Sequence, residues 1–211
     1  MILYDYWRSS AAYRVRIALN LKDIAHERVA IDLTQGAQRA PDYVARNPQG
    51  LVPALDTGSA ILTQSLAIID YLDTVYPAAA LLPADPVARA QVQAQALVIA
   101  ADIHPIDNLR VLNQLTAQFG ADQAARETWY AHWIIEGLTA LEAMTADLPG
   151  PFLGGTAPNL ADICLVPQLY NARRFVVPLD AWPRLVAADA AASAMPAIAA
   201  AHPDRVKPTA A

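Results

Sequence analysis

The chain has 211 residues, a net charge of −5, 55% hydrophobic residues and one cysteine, Cys164. This length can bury a sizeable core without disulfides or metal ions, and the lone cysteine excludes an internal disulfide framework and fits a reducing compartment, the cytoplasm. The acidic balance argues against a nucleic-acid binder. No apolar run is long enough to predict a membrane-spanning helix, and the first residues lack the pattern of a secretory signal.

The first 80 residues alternate between strand and helix patterns, which predicts an α/β domain. Short apolar and alternating runs predict strands over residues 2–6, 26–31, 51–56 and 60–62, the last two forming a hairpin. Helical spacing predicts one helix from about Ser10 to Leu21 and another that opens at Gln64-Ser65 and ends at Pro77. Residues 34–46 are predicted to be a loop with a short helix.

Pro53 lies inside the third predicted strand and allows two interpretations. A proline cannot donate to a β-ladder, so it is usually confined to an edge strand. The alternative is a cis peptide bond that turns a backbone N–H and a carbonyl towards a ligand. The sequence alone favours the edge strand.

After a linker rich in proline and alanine at residues 78–86, the pattern is helical. Helical spacing predicts helices over residues 87–119, 121–146, 160–172 and 183–200. Pro105 is expected to kink the first of these, and Asn159 with Asp162 forms a predicted capping box for the third. The tail from His202 onward is predicted to fray.

Ser9 and Ser10 lie where the first predicted strand meets the first predicted helix. Serine is a preferred N-cap because its hydroxyl satisfies a backbone N–H, and a helix N-terminus favours anions. Together with Arg8, these hydroxyls and N–H groups make a candidate pocket for a thiolate or a carboxylate. The alternative is a plain helix cap beside solvated arginines.

Motifs in both halves of the chain occur together in the order and spacing of one family. They are RSSAAYRVRIAL at residues 8–19, Asn47-Pro48, Leu51-Val52-Pro53, QSLAII at 64–69, Leu81-Leu82-Pro83, Ala161-Asp162, LVPQ at 165–168 and NARRF at 171–175. Over essentially its whole length the chain resembles the glutathione S-transferases, and the first motif is similar to the zeta-class signature S-S-C-x-x-R-V-R-I-A-L. The resemblance implies a thioredoxin-like, glutathione-binding domain over residues 1–80, an all-α domain over residues 87–211 that shapes the substrate site, and a homodimer.

The same resemblance implies a maleylacetoacetate or maleylpyruvate isomerase of aromatic-compound catabolism, with glutathione as cofactor and a small dicarboxylate keto acid as substrate. Where the family signature has cysteine, this chain has Ala11. The reaction needs no protein thiol, because glutathione supplies the thiolate that adds to the double bond, allows rotation and leaves. Cys164, within a predicted apolar helix, is interpreted as a small buried hydrophobe.

The resemblance and the residue pattern together predict roles for individual residues. Ser9 is the first candidate to donate a hydrogen bond to the thiolate, with Ser10 and Arg8 beside it. Glutathione is expected to contact Ser9, Ser10, Gln38, Val52, Pro53, Gln64, Ser65, His104 and Asn108. The substrate carboxylates are expected to bind arginine forks at Arg8, Arg110 and Arg174.

Alternative roles stay open for some of these residues and their neighbours. Gln64-Ser65 has the alternative of a simple helix cap, and His104, where the family commonly has glutamine, that of a satisfied interfacial histidine. Tyrosines donate to the thiolate in other transferase classes, and the nearby ones, better explained by packing, are Tyr4, Tyr6 and Tyr13. Three further arginines are interpreted as structural or solvated, namely Arg14, Arg16 and Arg173.

Two other functions compete with the isomerase. The same thiolate and arginines suit a zeta-class transferase that conjugates or dehalogenates small α-halo acids. A non-enzymatic interaction protein with this fold would leave the thiol of bound glutathione unperturbed. Maleylacetoacetate and maleylpyruvate are both retained as candidate substrates.

Overall fold

The computed structural model describes residues 1–208, which form two compact units. One unit consists of Met1–Leu81 together with the segment that begins at Ala194, and the other of Leu82–Ser193. Within the described residues, no helix is both long enough and apolar enough to cross a membrane.

A four-stranded sheet is the centre of the first unit. Its strands are β1 Ile2–Asp5, β2 Glu27–Ala30, β3 Ala54–Asp56 and β4 Ile61–Thr63. They lie in the order β2-β1-β3-β4, with β1 and β2 parallel and β3 antiparallel to both of its neighbours. The predicted strands and hairpin are confirmed. The third strand is shorter than predicted, because the ladder begins only after Pro53.

The helices of the first unit follow the predicted order. They are α1 Ser10–Leu21, α2 Pro41–Val44 and α3 Ser65–Val75, with 3-10 turns at Leu33–Gln35 and Ala37–Arg39 before α2. α1 and α3 contact each other. Fully buried side chains of both helices form the core of this unit with Leu3 and Leu55 of the sheet.

The second unit is mainly helical. Its helices are α4 Pro86–Leu97, α5 His104–Ile106, α6 Leu109–Phe119, α7 Gln123–Thr145, α8 Leu160–Arg174 and α9 Pro183–Ser193, with a π-helical stretch at Val98–Ile103 between α4 and α5. The predicted helices over residues 121–146 and 160–172 are confirmed.

The single helix predicted over residues 87–119 is wrong. The chain runs as an α-helix to Leu97, changes to a π-helix and stops at Asp107, before Asn108 caps a new helix. Pro105 is the physical cause of the change from α-helix in the turn before it, because it lacks an N–H and its ring clashes with the carbonyl four residues earlier. In this stretch the His104 N–H donates to the Ile99 carbonyl five residues earlier, as in a π-helix.

α8 is the most deeply buried helix of the second unit. It begins with the predicted capping box, in which the Asn159 side chain accepts from the N–H of Asp162 and the Asp162 side chain accepts from the N–H of Asn159. Asp162 also accepts from the N–H groups of Leu153 and Gly154, at 2.8 and 3.0 Å. Cys164 is fully buried in this helix, which confirms its interpretation as a small hydrophobe.

The C-terminal segment forms two short helices, α10 Pro196–Ala200 and α11 Pro203–Val206, instead of a continued helix and a frayed tail. α9 ends at Ser193, since a residue that precedes a proline such as Pro196 disfavours the helical conformation. This segment groups with the first unit, whereas the predicted helical domain included it. Arg16 donates to the Ala201 carbonyl at 3.0 Å, and Asn20 donates to the Ala197 carbonyl at 2.9 Å.

Asp162→Ala tests the anchor at the start of α8. The substitution leaves three buried or half-buried N–H groups without an acceptor, so we expect a loss of about 2–4 kcal/mol in the free energy of unfolding, measured by urea denaturation. Asp147→Ala, at an exposed position in the loop after α7, is the matched control and should change the free energy by less than about 0.5 kcal/mol. Equal effects of the two substitutions would contradict the anchor role.

Candidate active site

Ser9 caps the N-terminus of α1. Its Oγ accepts a hydrogen bond from the Ala12 N–H at 3.3 Å, and its backbone is extended, with φ −71° and ψ 121°. Among the described residues the Ser9 hydroxyl proton has no acceptor, so it is available to a ligand. Ser10 follows in the first turn and is 9% exposed. The predicted helix cap is therefore confirmed, and the Ser9 hydroxyl remains as a donor at the positive end of the helix.

Arg8 is exposed immediately before this cap. Its guanidinium lies over the Trp7 ring, 5.2 Å from the ring centroid. A cation–π contact of this kind orients an exposed arginine without neutralising it. Arg8 therefore places a positive charge one residue before Ser9 in the chain.

The segment before β3 contains a cis peptide bond between Val52 and Pro53, both of them buried. The edge-strand interpretation of Pro53 is wrong, because β3 lies between β1 and β4. Two donors hold the Leu51 carbonyl, the Tyr43 hydroxyl and the Asn47 amide, each at 2.6 Å. The backbone immediately before Val52 is thereby fixed in place.

Gln38 lies against the turn that leads into this segment. A Cβ added at Gly50, where φ is +61°, would lie 3.1 Å from the Gln38 carbonyl oxygen, so this close approach favours glycine. The Gln38 side-chain Oε1 is buried and has no hydrogen-bond partner among the described residues. A buried acceptor without a donor is costly in a folded protein, and a ligand N–H would satisfy it.

Gln64 precedes α3 in an uncommon backbone conformation, with φ 69° and ψ 117°, and its side chain makes no cap hydrogen bond. It donates from Nε2 to the Gln49 Oε1 at 2.8 Å instead. The simple-cap alternative is therefore wrong for Gln64. The N-terminus of α3 has no side-chain cap, which leaves its N–H groups for an anion.

Arg14 adds a positive charge beneath that helix end. It is 1% exposed, and its Nη1 donates to the Ser65 Oγ at 3.4 Å. Of the two interpretations of Arg14, structural or solvated, the structural one is confirmed, but the sequence analysis did not identify the contact with Ser65. A signal was present, because Arg14 lies four residues after Ser10 and four before Ala18 on the buried face of α1.

Arg16 and the tyrosines are structural, in agreement with the sequence interpretation. Arg16 pairs with Asp5 at 2.7 Å, and burial lowers the pKa of its guanidinium. The Tyr4 hydroxyl accepts from Arg46 at 2.9 Å. Tyr13 is 2% exposed and packs on Arg16.

The remaining predicted site residues belong to the second unit. His104 is half-buried in α5. Asn108 caps α6, and its Oδ1 accepts from the backbone N–H of Arg110 at 3.1 Å, so these two neighbours lie together. Arg174 ends α8 and donates from Nη1 to the Asn171 Oδ1 at 3.0 Å.

Asp107 is a buried carboxyl group for which the sequence analysis predicts no role. It is 6% exposed, and neither side-chain oxygen has a hydrogen-bond partner among the described residues. Burial raises the pKa of Asp107 to about 8. No sequence signal identifies it, because an aspartate beside a helix cap is ordinary and its burial follows from tertiary packing.

The comparisons with known proteins agree on one family. Residues 1–74 match the family model of the glutathione S-transferase N-terminal domain. A maleylacetoacetate isomerase of Rhizobium meliloti (strain 1021) is 53% identical over 209 residues, 98% of this chain and 98% of that protein. A maleylpyruvate isomerase in holo form, described as a bacterial zeta-class glutathione S-transferase, has a TM-score of 0.97 and 45% identity over the whole of both chains.

A third relative is a maleylacetoacetate isomerase from Methylobacterium extorquens AM1, solved with bound malonate and glutathione. It has a TM-score of 0.95 and 40% identity, again over the whole of both chains. The chain therefore belongs to the glutathione S-transferases, and within them to the zeta-class family of maleylacetoacetate and maleylpyruvate isomerases. The predicted family and fold class are confirmed.

Asp107→Asn should make the stability of the protein less dependent on pH. The pKa of Asp107 is raised from 3.8 to about 8 in the folded state, so the folded protein holds this proton more tightly than the unfolded chain. The stabilisation that this proton gives the folded state is complete below pH 3.8 and is lost as the pH rises to about 8. We expect the substitution to raise the free energy of unfolding by about 1–3 kcal/mol at pH 9 and to change it little at pH 4.

Urea denaturation across this pH range is the measurement. Asp102→Asn, at an exposed position of the π-helical stretch, is the matched control and should leave the pH dependence of stability unchanged. A parallel shift of the Asp107→Asn curve at every pH would contradict the assignment.

Proposed function

We propose that this protein is a glutathione-dependent cis-trans isomerase that converts maleylacetoacetate or maleylpyruvate to the fumaryl isomer. The observation that carries the proposal is the Ser9 hydroxyl at the N-terminus of α1, with a donor available to a thiolate. Relatives that match the whole chain are named for these two reactions. The protein uses glutathione as its cofactor, which is bound in a relative with a TM-score of 0.95.

The first requirement of the reaction is a thiolate near neutral pH. A hydrogen bond from Ser9, the backbone N–H groups of the first turn of α1 and the helix dipole all favour the ionised thiol. Ser10 and the charge of Arg8 support the same ionisation. Cys164 is fully buried in the second unit, so the nucleophile is the cofactor thiol.

The thiolate then acts as a reversible nucleophile. It adds to one carbon of the cis double bond, and the electron pair of that bond moves into the conjugated keto group as an enolate. The former double bond is now single and rotates. The enolate pair returns, the carbon–sulfur bond breaks, and the trans isomer and the glutathione thiolate are released without net consumption of either cofactor or proton.

Glutathione is proposed to bind along the first unit at three positions. The backbone of Val52, next to the cis bond to Pro53, pairs with the cysteinyl backbone. The uncapped N-terminus of α3, with Gln64, Ser65 and the charge of Arg14 beneath it, suits the γ-glutamyl carboxylate. The unsatisfied Gln38 oxygen is a partner for an N–H at the glycyl end.

The substrate carboxylates are proposed to bind arginines, whose planar forks match a carboxylate. Arg8 in the first unit and Arg110 and Arg174 in the second are the candidates. His104 and Asn108 are proposed to add contacts to glutathione. A homodimer and a cytoplasmic location remain proposals that rest on the family resemblance and on the single cysteine.

Ser9→Ala is the direct test. Without the hydroxyl donor, we expect kcat/KM for maleylacetoacetate or maleylpyruvate to fall by about 10–100-fold. The pKa of the bound glutathione thiol, measured by the ultraviolet absorbance of the thiolate, should rise towards that of a free thiol, about 8.5. Ser59→Ala, in the exposed hairpin turn, is the matched control and should leave both quantities unchanged.

Three results would overturn parts of the proposal. Unchanged turnover and thiol pKa in Ser9→Ala would remove the role of Ser9. A much higher kcat/KM for dichloroacetate than for either keto acid would favour a transferase of α-halo acids. A bound thiol with the pKa of free glutathione would favour a non-enzymatic protein.

Gln64→Ala tests the proposed glutathione contact at α3. Loss of a hydrogen bond to a charged group should raise KM for glutathione by about 10-fold and leave kcat with saturating glutathione close to its original value. Steady-state kinetics with varied glutathione is the measurement. Gln114→Ala on the exposed side of α6 is the control, and an equal KM for both variants would contradict the contact.

A further inference from the structure

Four residues of the second unit surround the end of α8. Tyr130 belongs to α7, Asn171 and Arg174 to the last turn of α8, and Phe175 follows that helix. Tyr130 and Asn171 are 5% and 6% exposed, whereas Arg174 lies at the surface. We call Tyr130, Asn171 and Phe175 the arginine support, because each contacts Arg174 or another member of the group.

The orientation of the Asn171 amide follows from hydrogen-bond chemistry. A guanidinium only donates, so Asn171 must present its Oδ1 to Arg174, which it does at 3.0 Å. The amide Nδ2 then needs an acceptor in the interior, and the Tyr130 hydroxyl oxygen accepts from it. Burial raises the pKa of the Tyr130 hydroxyl above its ordinary value, so this acceptor is a neutral phenol.

Phe175 supports the guanidinium from a second direction. The Arg174 guanidinium carbon lies 5.0 Å from the centroid of the Phe175 ring, a cation–π contact. The Phe175 ring in turn stacks on the Tyr130 ring, with 3.7 Å between centroids and 18° between planes. Tyr130 therefore fixes both groups that hold Arg174, one through its hydroxyl and one through its ring.

The neighbouring arginine is held in a different way. Arg173 forms an ion pair with Asp189 at 2.7 Å, and Asp189 is 4% exposed. Its charge is compensated by a carboxylate of the protein itself. Asn171 is neutral, so its contact with Arg174 is a hydrogen bond that orients the guanidinium and is not an ion pair.

We propose that Asn171 and Tyr130 are positioning residues that hold the Arg174 guanidinium for a carboxylate of the dicarboxylate substrate. This inference rests on the proposed function, because it takes Arg174 as a substrate-binding residue. A long arginine side chain loses rotamer freedom when it binds a ligand, and a support that restricts it beforehand reduces this entropic cost. The support should consequently act on substrate affinity more than on the chemical step.

The experiment measures the dissociation constant of malonate by calorimetry, with the glutathione-loaded protein, together with kcat and KM for the keto acid. Arg174→Gln should weaken malonate binding and raise KM by about 30-fold or more, because the fork is lost. Asn171→Ala should raise both by about 10-fold, with kcat within about twofold of the original. Tyr130→Phe, which keeps the ring and removes the acceptor, should raise both by about threefold.

Double substitution separates positioning from a general structural effect. If Asn171 acts through Arg174, then Asn171→Ala should add nothing in the Arg174→Gln background. Arg173→Gln is the matched control, since it removes the adjacent guanidinium but not the supported one, and it should leave malonate binding unchanged. Tyr130→Phe decides the question if Asn171→Ala fails to fold.

The outcomes distinguish this inference from the function on which it rests. Unchanged malonate binding and KM in Arg174→Gln would remove Arg174 from the substrate site and overturn the inference. A large effect of Arg174→Gln with no effect of Asn171→Ala or Tyr130→Phe, or additive effects in the double variant, would overturn the positioning role alone. Weaker malonate binding in all three variants of a protein without isomerase turnover would support the positioning role and overturn the isomerase proposal.

Discussion

Arg16 and Asp5 form an ion pair in the interior of the first unit, where each side chain is 1% exposed. Removal of two charges from water costs several kcal/mol per ion. Additional hydrogen bonds offset this cost, because Arg16 also donates to the carbonyls of Trp7 and Ala201, each at 3.0 Å. The pair joins β1, α1 and the C-terminal segment, and the turn that carries Ser9 lies between its two members in the chain. The position of the Ser9 hydroxyl therefore depends on a buried ion pair in the elements on either side of it.

The parts of the fold that the sequence predicts are those whose contacts are local. The cap at Ser9, the capping box of Asn159 with Asp162 and the hairpin of β3 and β4 each depend on residues close together in the chain. Local preference does not account for the cis bond before Pro53 or for the end of the helix at Asp107. Local preference alone favoured an edge strand for the first and a continuous helix for the second.

The residues of the candidate site also differ in whether local sequence or tertiary structure reveals them. The resemblance proposes Arg174 as a substrate-binding residue because its position in a motif is local information. The support from Tyr130, which lies 41 residues before Asn171 in sequence, requires the packing of α7 on α8. The burial of Asp107 arises in the same way, since a helix break beside a proline does not reveal what covers it. The sequence thus predicts candidate groups for ligand contact more readily than it predicts the groups that hold them.

The contacts of the C-terminal segment have a consequence for the order in which the protein is completed during synthesis. Arg16 and Asn20 of α1 donate to carbonyls that lie 185 and 177 residues later in the chain. A nascent chain that has emerged only as far as residue 193 lacks both acceptors, although the whole sheet and α3 have already been made. Domains generally fold in the order of their synthesis. Here the unit that contains the first strand receives its last buried partners after the helical unit has been translated.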